Sequence, residues 1–340
     1  MPEGEDYYTK YKDILEQFPR LNQSSILQDI QQKGGYFSVG PDTNIIDFKL
    51  RIIGLNSNLW YQSNHLVSDK PDPADQFRNF EEELKSAREN KERVLIFSHI
   101  PPGKFERFYQ KMTEVDYSGY HWMYERFNKR YLNIIEEFWD IIELQLFAHH
   151  HTDSFKVFRG LNGTPISVGL VAPGLTPWNS TLAPETGANN PGLRLFKYSK
   201  NDGRVLDFSQ FYLNLTQANE IGKAHWELEY SFLDFYNISD LSALSVASLL
   251  ERMKTDDKLF NQYYSLNTVM FESEKDAEEN CDATCRRYHY CAQSELDYSS
   301  FETCISSTSK GDSPSISIEL ISAFVLNVFL VFNSYSKIFL

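Results

Sequence analysis

Apolar and polar positions along this chain change their rhythm about half-way. "LRIIGLNSNLWY" (50–61) and "RVLIFSHIPPG" (93–103) are short, nearly continuous apolar runs that open into Asn, Ser or Pro-Gly. That is the pattern of strands buried on both faces. Between them, "DPADQFRNFEEELKSARENK" (72–91) places Phe77, Phe80, Leu84 and Ala87 on one face of a helix, with Asp72 as N-cap and Pro73 in the first position. A second amphipathic helix is predicted over 125–143, and "LQLFA" follows as a third strand. Strand–helix–strand alternation of this kind marks an α/β domain. From residue 153 onward, "DSFKVFR", "PISVGLVAP", "LRLFKYS" and "VLDFSQFYLNL" are strands joined by short Gly, Pro and Asn turns, expected to pair antiparallel. After about residue 238 the pattern turns helical, in "SALSVASLLERM" and "KLFNQYYSL". No internal repeat is present.

Composition narrows the class. The 340 residues are 41 % hydrophobic and 15 % aromatic, enough for a sizeable core, and the net charge of -14 disfavours a nucleic-acid polymer as partner. All four cysteines, Cys281, Cys285, Cys291 and Cys304, fall in one short window. Zinc binding and disulfide bonding both fit such a cluster. Five N-x-S/T sequons, at Asn22, Asn162, Asn179, Asn214 and Asn237, favour disulfides in an extracellular or cell-surface glycoprotein, with a lysosomal location also open. The opening "MPEGEDYYTKYKDILEQF" has no positive n-region, apolar h-region or cleavage site. Export by another route or a missing true beginning would explain it. At the other end, "SSTSKGDSPSIS" and the apolar "LISAFVLNVFLVF" form the small–polar–apolar order of a glycolipid (GPI) anchor signal. Ser306 or Ser307 is the expected attachment site, and the tail the expected route of membrane association. The run is short for a spanning helix, which needs ~20 apolar residues.

The candidate chemistry lies in "SHIPPG" and "LFAHHHTD". His99 and the triplet His149–His151 each follow a buried strand, at the edge where open α/β sheets place their ligands. Imidazole suits zinc, iron or manganese. On an extended segment His149 and His151 share a face, and His150 points the other way.

These stretches resemble the acid sphingomyelinase-like phosphodiesterases of the calcineurin-like metallophosphoesterase superfamily. The likeness rests on "SHIPPG", the "HxHTD" turn, "KGGYFSV", "LRIIGLNSNLWY", "PADQF", "NKRYL", "APGLTPW", "NPGLRLF", "WELEYSF" and the Cys spacing, over roughly residues 34 to 304. It implies a two-sheet β-sandwich flanked by helices. It implies two zinc ions, which activate a hydroxide for in-line attack at phosphorus and hold the phosphate oxygens. By motif, His99 and His149 would ligate one metal and His151 the other. The substrate would be a phosphodiester of sphingomyelin-like or nucleotide type. Disulfides Cys281–Cys285 and Cys291–Cys304 are implied as well.

Two departures stand out. The family's glycine before the first histidine of the turn is Ala148 here, and an alanine is expected to strain the turn if that position needs positive φ. The family's D-x-H, GD and GNH motifs, which supply the remaining ligands and the histidine that protonates the leaving group, are missing ahead of "KGGYFSV". "QSNHLVSD" offers Asn64 and His65, but on the wrong side of the 50–61 strand, and it is rejected as a ligand pair. The chain is therefore expected to be the C-terminal portion of a longer protein. Its parts would be residues 1–225 (part of the catalytic domain), 226–305 (a helical region with two disulfides) and 306–340 (spacer and apolar tail). A non-catalytic alternative keeps the chain as an inactive isoform or extracellular glycoprotein, holding one zinc through His99 and His149.

Overall fold

In a computed structural model, residues 25–41, 49–107, 121–179 and 188–307 are described, together with Lys10, Asp13 and Gln17. Asn22 and the apolar tail beyond residue 307 lie outside the described residues. The chain forms a mixed α/β fold. Helix α1 (Ser25–Lys33) leads into β1 (Phe37–Val39) and β2 (Leu50–Leu55). Then follow α2 (Gln76–Glu89), β3 (Arg93–Ser98), α3 (Glu125–Phe138), β4 (Ile142–Phe147), β5 (Ser154–Arg159) and β6 (Pro165–Val171). These strands form one six-stranded sheet in the order β1-β2-β3-β4-β6-β5.

Strands β2, β3, β4 and β6 run parallel, and β1 and β5 are antiparallel edges. The expectation of antiparallel pairing therefore holds for β5 with β6 but not for β6 with β4. Gly54 in β2 is required by its neighbour, because a Cβ there would stand 2.3 Å from the Phe37 ring of β1.

Helices α2 and α3 cover one face of this sheet. Their buried Phe77, Phe80, Leu84, Phe127, Tyr131 and Ile135 meet Ile53, Ile96 and Trp60 in a common core. Trp60 stacks on Phe77 with ring centroids 4.4 Å apart, and burial of such rings supplies much of the core's hydrophobic gain.

Both predicted helices differ from expectation at one end. Pro73–Asp75 forms a separate tight turn with Ala74 and Asp75 at positive φ, so the helix begins at Gln76. Asp72 still caps it from outside, its carboxylate accepting from the Phe77 and Arg78 N–H groups at 2.9 and 3.0 Å. The second helix stops at Phe138 rather than 143, because Ile142 is drawn into β4 opposite Val94.

On the other face lies a second sheet. It has the order β11-β10-β9, built from β9 (Gly192–Tyr198), β10 (Val205–Leu213) and β11 (Trp226–Ser231), all antiparallel. A two-stranded ribbon of β7 (Trp178–Asn179) and β8 (Ala188–Asn189) precedes it. Helices α4 (Leu215–Ile221), α5 (Phe232–Tyr236), α6 (Ala243–Thr255), α7 (Asp257–Asn267), α8 (Glu274–Asn280), α9 (Ala283–Ser294) and α10 (Tyr298–Ser306) complete the described chain. Leu144, Phe155, Val168 and Leu170 of the first sheet share a core with Phe208, Tyr230, Phe232, Leu249 and Tyr263. The structure is thus the expected α/β sandwich of two sheets with outer helices, and its helical C-terminal region carries Cys281–Cys285 and Cys291–Cys304 as disulfides. Strand β11, just beyond residue 225, is an edge strand of the same sheet as β9 and β10.

One carboxylate in this second sheet carries a pH signature. Both oxygens of Glu229 are buried without a hydrogen-bond partner, although the residue as a whole is only half-buried. Burial, and then the neighbouring Asp153 carboxylate, hold its pKa well above the usual carboxylate range, against the pull of Arg194. A carboxyl raised in the folded state costs stability once pH rises above its unfolded pKa and through the folded one. Glu229→Gln is therefore expected to stabilise the protein at pH 7.5 by about 1–3 kcal/mol. Thermal melts at pH 7.5 and 4.5 check this, and the gain should vanish at the lower pH.

Candidate metal centre

The first sheet sets the site. Because β3 and β4 are parallel neighbours, the turns leaving their carboxyl ends lie side by side, and the Ala148 N–H donates to the His99 carbonyl at 2.9 Å. His99 is fixed further by Ser57, whose Oγ accepts from the Ile100 N–H at 2.7 Å. The side chains follow: His149 Nδ1 stands 3.1 Å from His99 Nε2, and the rings meet edge to face. Trp122 closes one side of His149 at 4.4 Å, nearly perpendicular, and Tyr61 approaches at 5.9 Å.

The triplet is not extended. His149 and His151 sit at φ 69° and 58°, a left-handed conformation that costs about 1–3 kcal/mol each and persists only where surrounding contacts impose it. Ala148 is not in that conformation, so the strain expected at 148 falls on its neighbours. His150 does point away, into the core, where it is 4 % exposed against Phe105 and 3.5 Å from Glu106. His151 faces a second restriction, since a Cβ on Gly174 would stand 2.7 Å from its Nδ1.

Burial favours the neutral imidazole at all three candidate ligands. Burial lowers the pKa of His99, and burial followed by His150, His99 and His151 pushes that of His149 down to about 3. Burial and His99 lower that of His151. Neutral imidazole is the form that ligates metal. His149 Nδ1 and His99 Nε2, 3.1 Å apart, are close enough to share one ion, and the other ring nitrogen, His149 Nε2, is buried with no hydrogen-bond partner. The residues therefore fit a transition metal such as zinc. Among the described residues, no third Cys, His, Asp or Glu joins this pair in a group whose ligand atoms all lie within 4.8 Å of one another. His151 stands outside it, as a ligand of a second ion would. The Cys281, Cys285 and His289 atoms do converge, but the two sulfurs are spent on a disulfide. Asn64 caps a short turn and donates to the Asn58 carbonyl at 2.9 Å, a structural role.

Beneath the histidines runs a buried polar network that the sequence did not announce. Glu106, fully buried, accepts from Thr152 Oγ1 at 2.9 Å and Asn267 Nδ2 at 3.1 Å. Burial would raise its pKa, but His150, Lys156 and His289 together hold it well below the usual carboxylate range. Lys156, also fully buried, donates to the Lys104 and Ala292 carbonyls, and burial pushes its pKa down to about 8.

Comparison with known proteins now becomes decisive. Residues 164–311 match the family model described as the acid sphingomyelin phosphodiesterase C-terminal region. The human acid sphingomyelinase-like phosphodiesterase 3b is 37 % identical over 75 % of this chain and 53 % of its own length. This chain belongs to the acid sphingomyelinase-like phosphodiesterase family. The human cyclic GMP-AMP phosphodiesterase SMPDL3A is 38 % identical over 81 % of this chain and 57 % of its own length. Sphingomyelinase phosphodiesterase C of Dictyostelium discoideum is 32 % identical over 84 % and 60 % respectively. The chain thus spans little more than half the length of these relatives.

Of the other expected positions, Asn162, Asn179 and Asn237 are exposed, and Asn214 is half-buried as the N-cap of α4. Ser306 and Ser307 are exposed at the end of α10. Among the described residues no helix is long and apolar enough to cross a membrane.

Proposed function

We propose that this chain supplies one part of a two-zinc phosphodiesterase site, with His99 and His149 on one ion and His151 on the other. The 3.1 Å approach of His149 Nδ1 to His99 Nε2, at the carboxyl ends of adjacent parallel strands, carries this reading. Bound metal would supply Lewis acidity toward phosphoryl oxygens and lower the pKa of water. The chain's own residues orient that chemistry. Trp122 walls one side of His149, burial lowers the pKa of all three imidazoles, and Gly174 leaves room for His151. The substrate class is a phosphodiester of lipid or nucleotide type, as the names of the relatives suggest. No carboxylate among the described residues completes the pair, so bridging ligands come from outside them. Residues 1–225 are read as the catalytic portion, 226–305 as its helical support and 306–340 as spacer and tail. A secreted or surface location suits the exposed sequons and both disulfides, with Ser306 or Ser307 as anchor site.

The test is zinc content per chain on protein from a secretory host at neutral pH, with turnover of a chromogenic phosphodiester measured alongside. About one zinc and no turnover is expected. Two zincs with turnover overturn the partial-site reading. Absence of zinc overturns the ligand role of His99 and His149.

A further inference from the structure

The loop that carries the histidines holds a conformation that its own sequence does not favour, and the contacts that impose it come from elsewhere. Asn189, at the end of β8 and 3 % exposed, donates from Nδ2 to the His151 carbonyl at 2.9 Å. Its Oδ1 accepts from Arg107 Nη1 at 3.0 Å, and Arg107 Nε donates to Asn267 Oδ1 at 2.7 Å. Asn267, fully buried in the last turn of α7, then holds Asp153 from both sides. Its carbonyl accepts from the Asp153 N–H at 3.2 Å, and its Nδ2 donates to the Asp153 carbonyl at 3.0 Å. Two successive anchor points, at residues 151 and 153, thus fix the backbone directly after the two left-handed histidines.

We propose that Asn189 is a positioning residue for His151, and that with Arg107 and Asn267 it makes the geometry of the histidine loop depend on the helical region far along the chain. The proposal rests on the reading of His149 and His151 as metal ligands. A residue that touches no ligand ring can still set a metal site by fixing the backbone from which the ring projects.

Asn189→Asp isolates the effect, since it keeps the acceptor for Arg107 and removes the donor to His151. Cobalt(II) titration of the full chain, followed by visible absorption, should show roughly 10–100-fold weaker binding. Some fall in melting temperature accompanies it, since the new carboxylate oxygen faces the His151 carbonyl, and the loss of cobalt affinity should exceed what that fall explains. Amide exchange should quicken in peptides covering 148–153 and nowhere else. Unchanged cobalt affinity with unchanged exchange overturns the proposal, and so does a loss of affinity that only tracks a fall in melting temperature. If the parent chain binds no cobalt, the ligand reading fails by itself. Exchange over 148–153 then still decides whether Asn189 holds the loop, and unchanged exchange overturns it.

Discussion

Replacing Glu106 by alanine is expected to destabilise the protein by about 3–5 kcal/mol, a large part of the stability of an ordinary domain. The carboxylate is fully buried and has several dependants. Thr152 Oγ1 and Asn267 Nδ2 donate to it, and the Lys156 ammonium is compensated by it. Two of these losses differ in kind. Lys156 can escape by releasing its proton, because burial has already brought its pKa down to about 8. Neutralising it at pH 7 then costs about 1.4 kcal/mol. The Thr152 hydroxyl has no such exit and loses its acceptor outright, at about 1–3 kcal/mol, while Asn267 Nδ2 loses one acceptor and keeps the Asp153 carbonyl. Urea unfolding of Glu106→Ala with and without Lys156→Met separates the terms, the double variant recovering only the smaller share. Equal stability of Glu106→Ala and the parent would remove the network from any account of this fold.

His149 gives the second large effect, and it reverses a familiar order. Loop positions usually tolerate alanine better than glycine, because glycine is more disordered when unfolded. At φ 69° the preference inverts. His149→Gly is expected to be more stable than His149→Ala by about 1 kcal/mol. Both should weaken zinc binding more than ~100-fold, beyond what loss of a supporting residue does. Paired thermal melts and zinc titrations decide it: retained affinity in both variants would exclude His149 as a ligand. An alanine variant as stable as the glycine one would show that the left-handed backbone carries no strain. If glycine proves the more stable, the parent holds its histidine at a cost in stability, as functional sites commonly do.

How much of this was legible follows from distance along the chain. Apolar runs at 50–55 and 93–98 and the stripe Phe77, Phe80, Leu84, Ala87 read correctly because their signal is local. The end of α3 did not, since the amphipathic stripe continues into residues that β3 recruits as strand. The parallel pairing of β6 with β4 escaped for the same reason: the partner of each strand is chosen by the sheet, not by the adjoining turn. His99 and His149 were found because both end apolar runs. Glu106, Asn189 and Asn267 were not. Glu106 and Asn267 are 161 positions apart, and each looks like an ordinary polar residue of a loop or helix until the fold buries it. Lys156, inside an apolar strand, was the one visible irregularity that could have signalled a buried counter-charge.

The two carbonyls that receive Lys156 lie 52 and 136 positions from it. On a ribosome adding 5–20 residues per second, roughly 7–27 s separate the synthesis of this lysine from that of its last acceptor. Through that interval the ammonium lacks one of its two carbonyl acceptors, so the final covering of β5 waits on the last helices. The edge strand β5 is thus made early in synthesis and fully satisfied only late, once α9 has been added.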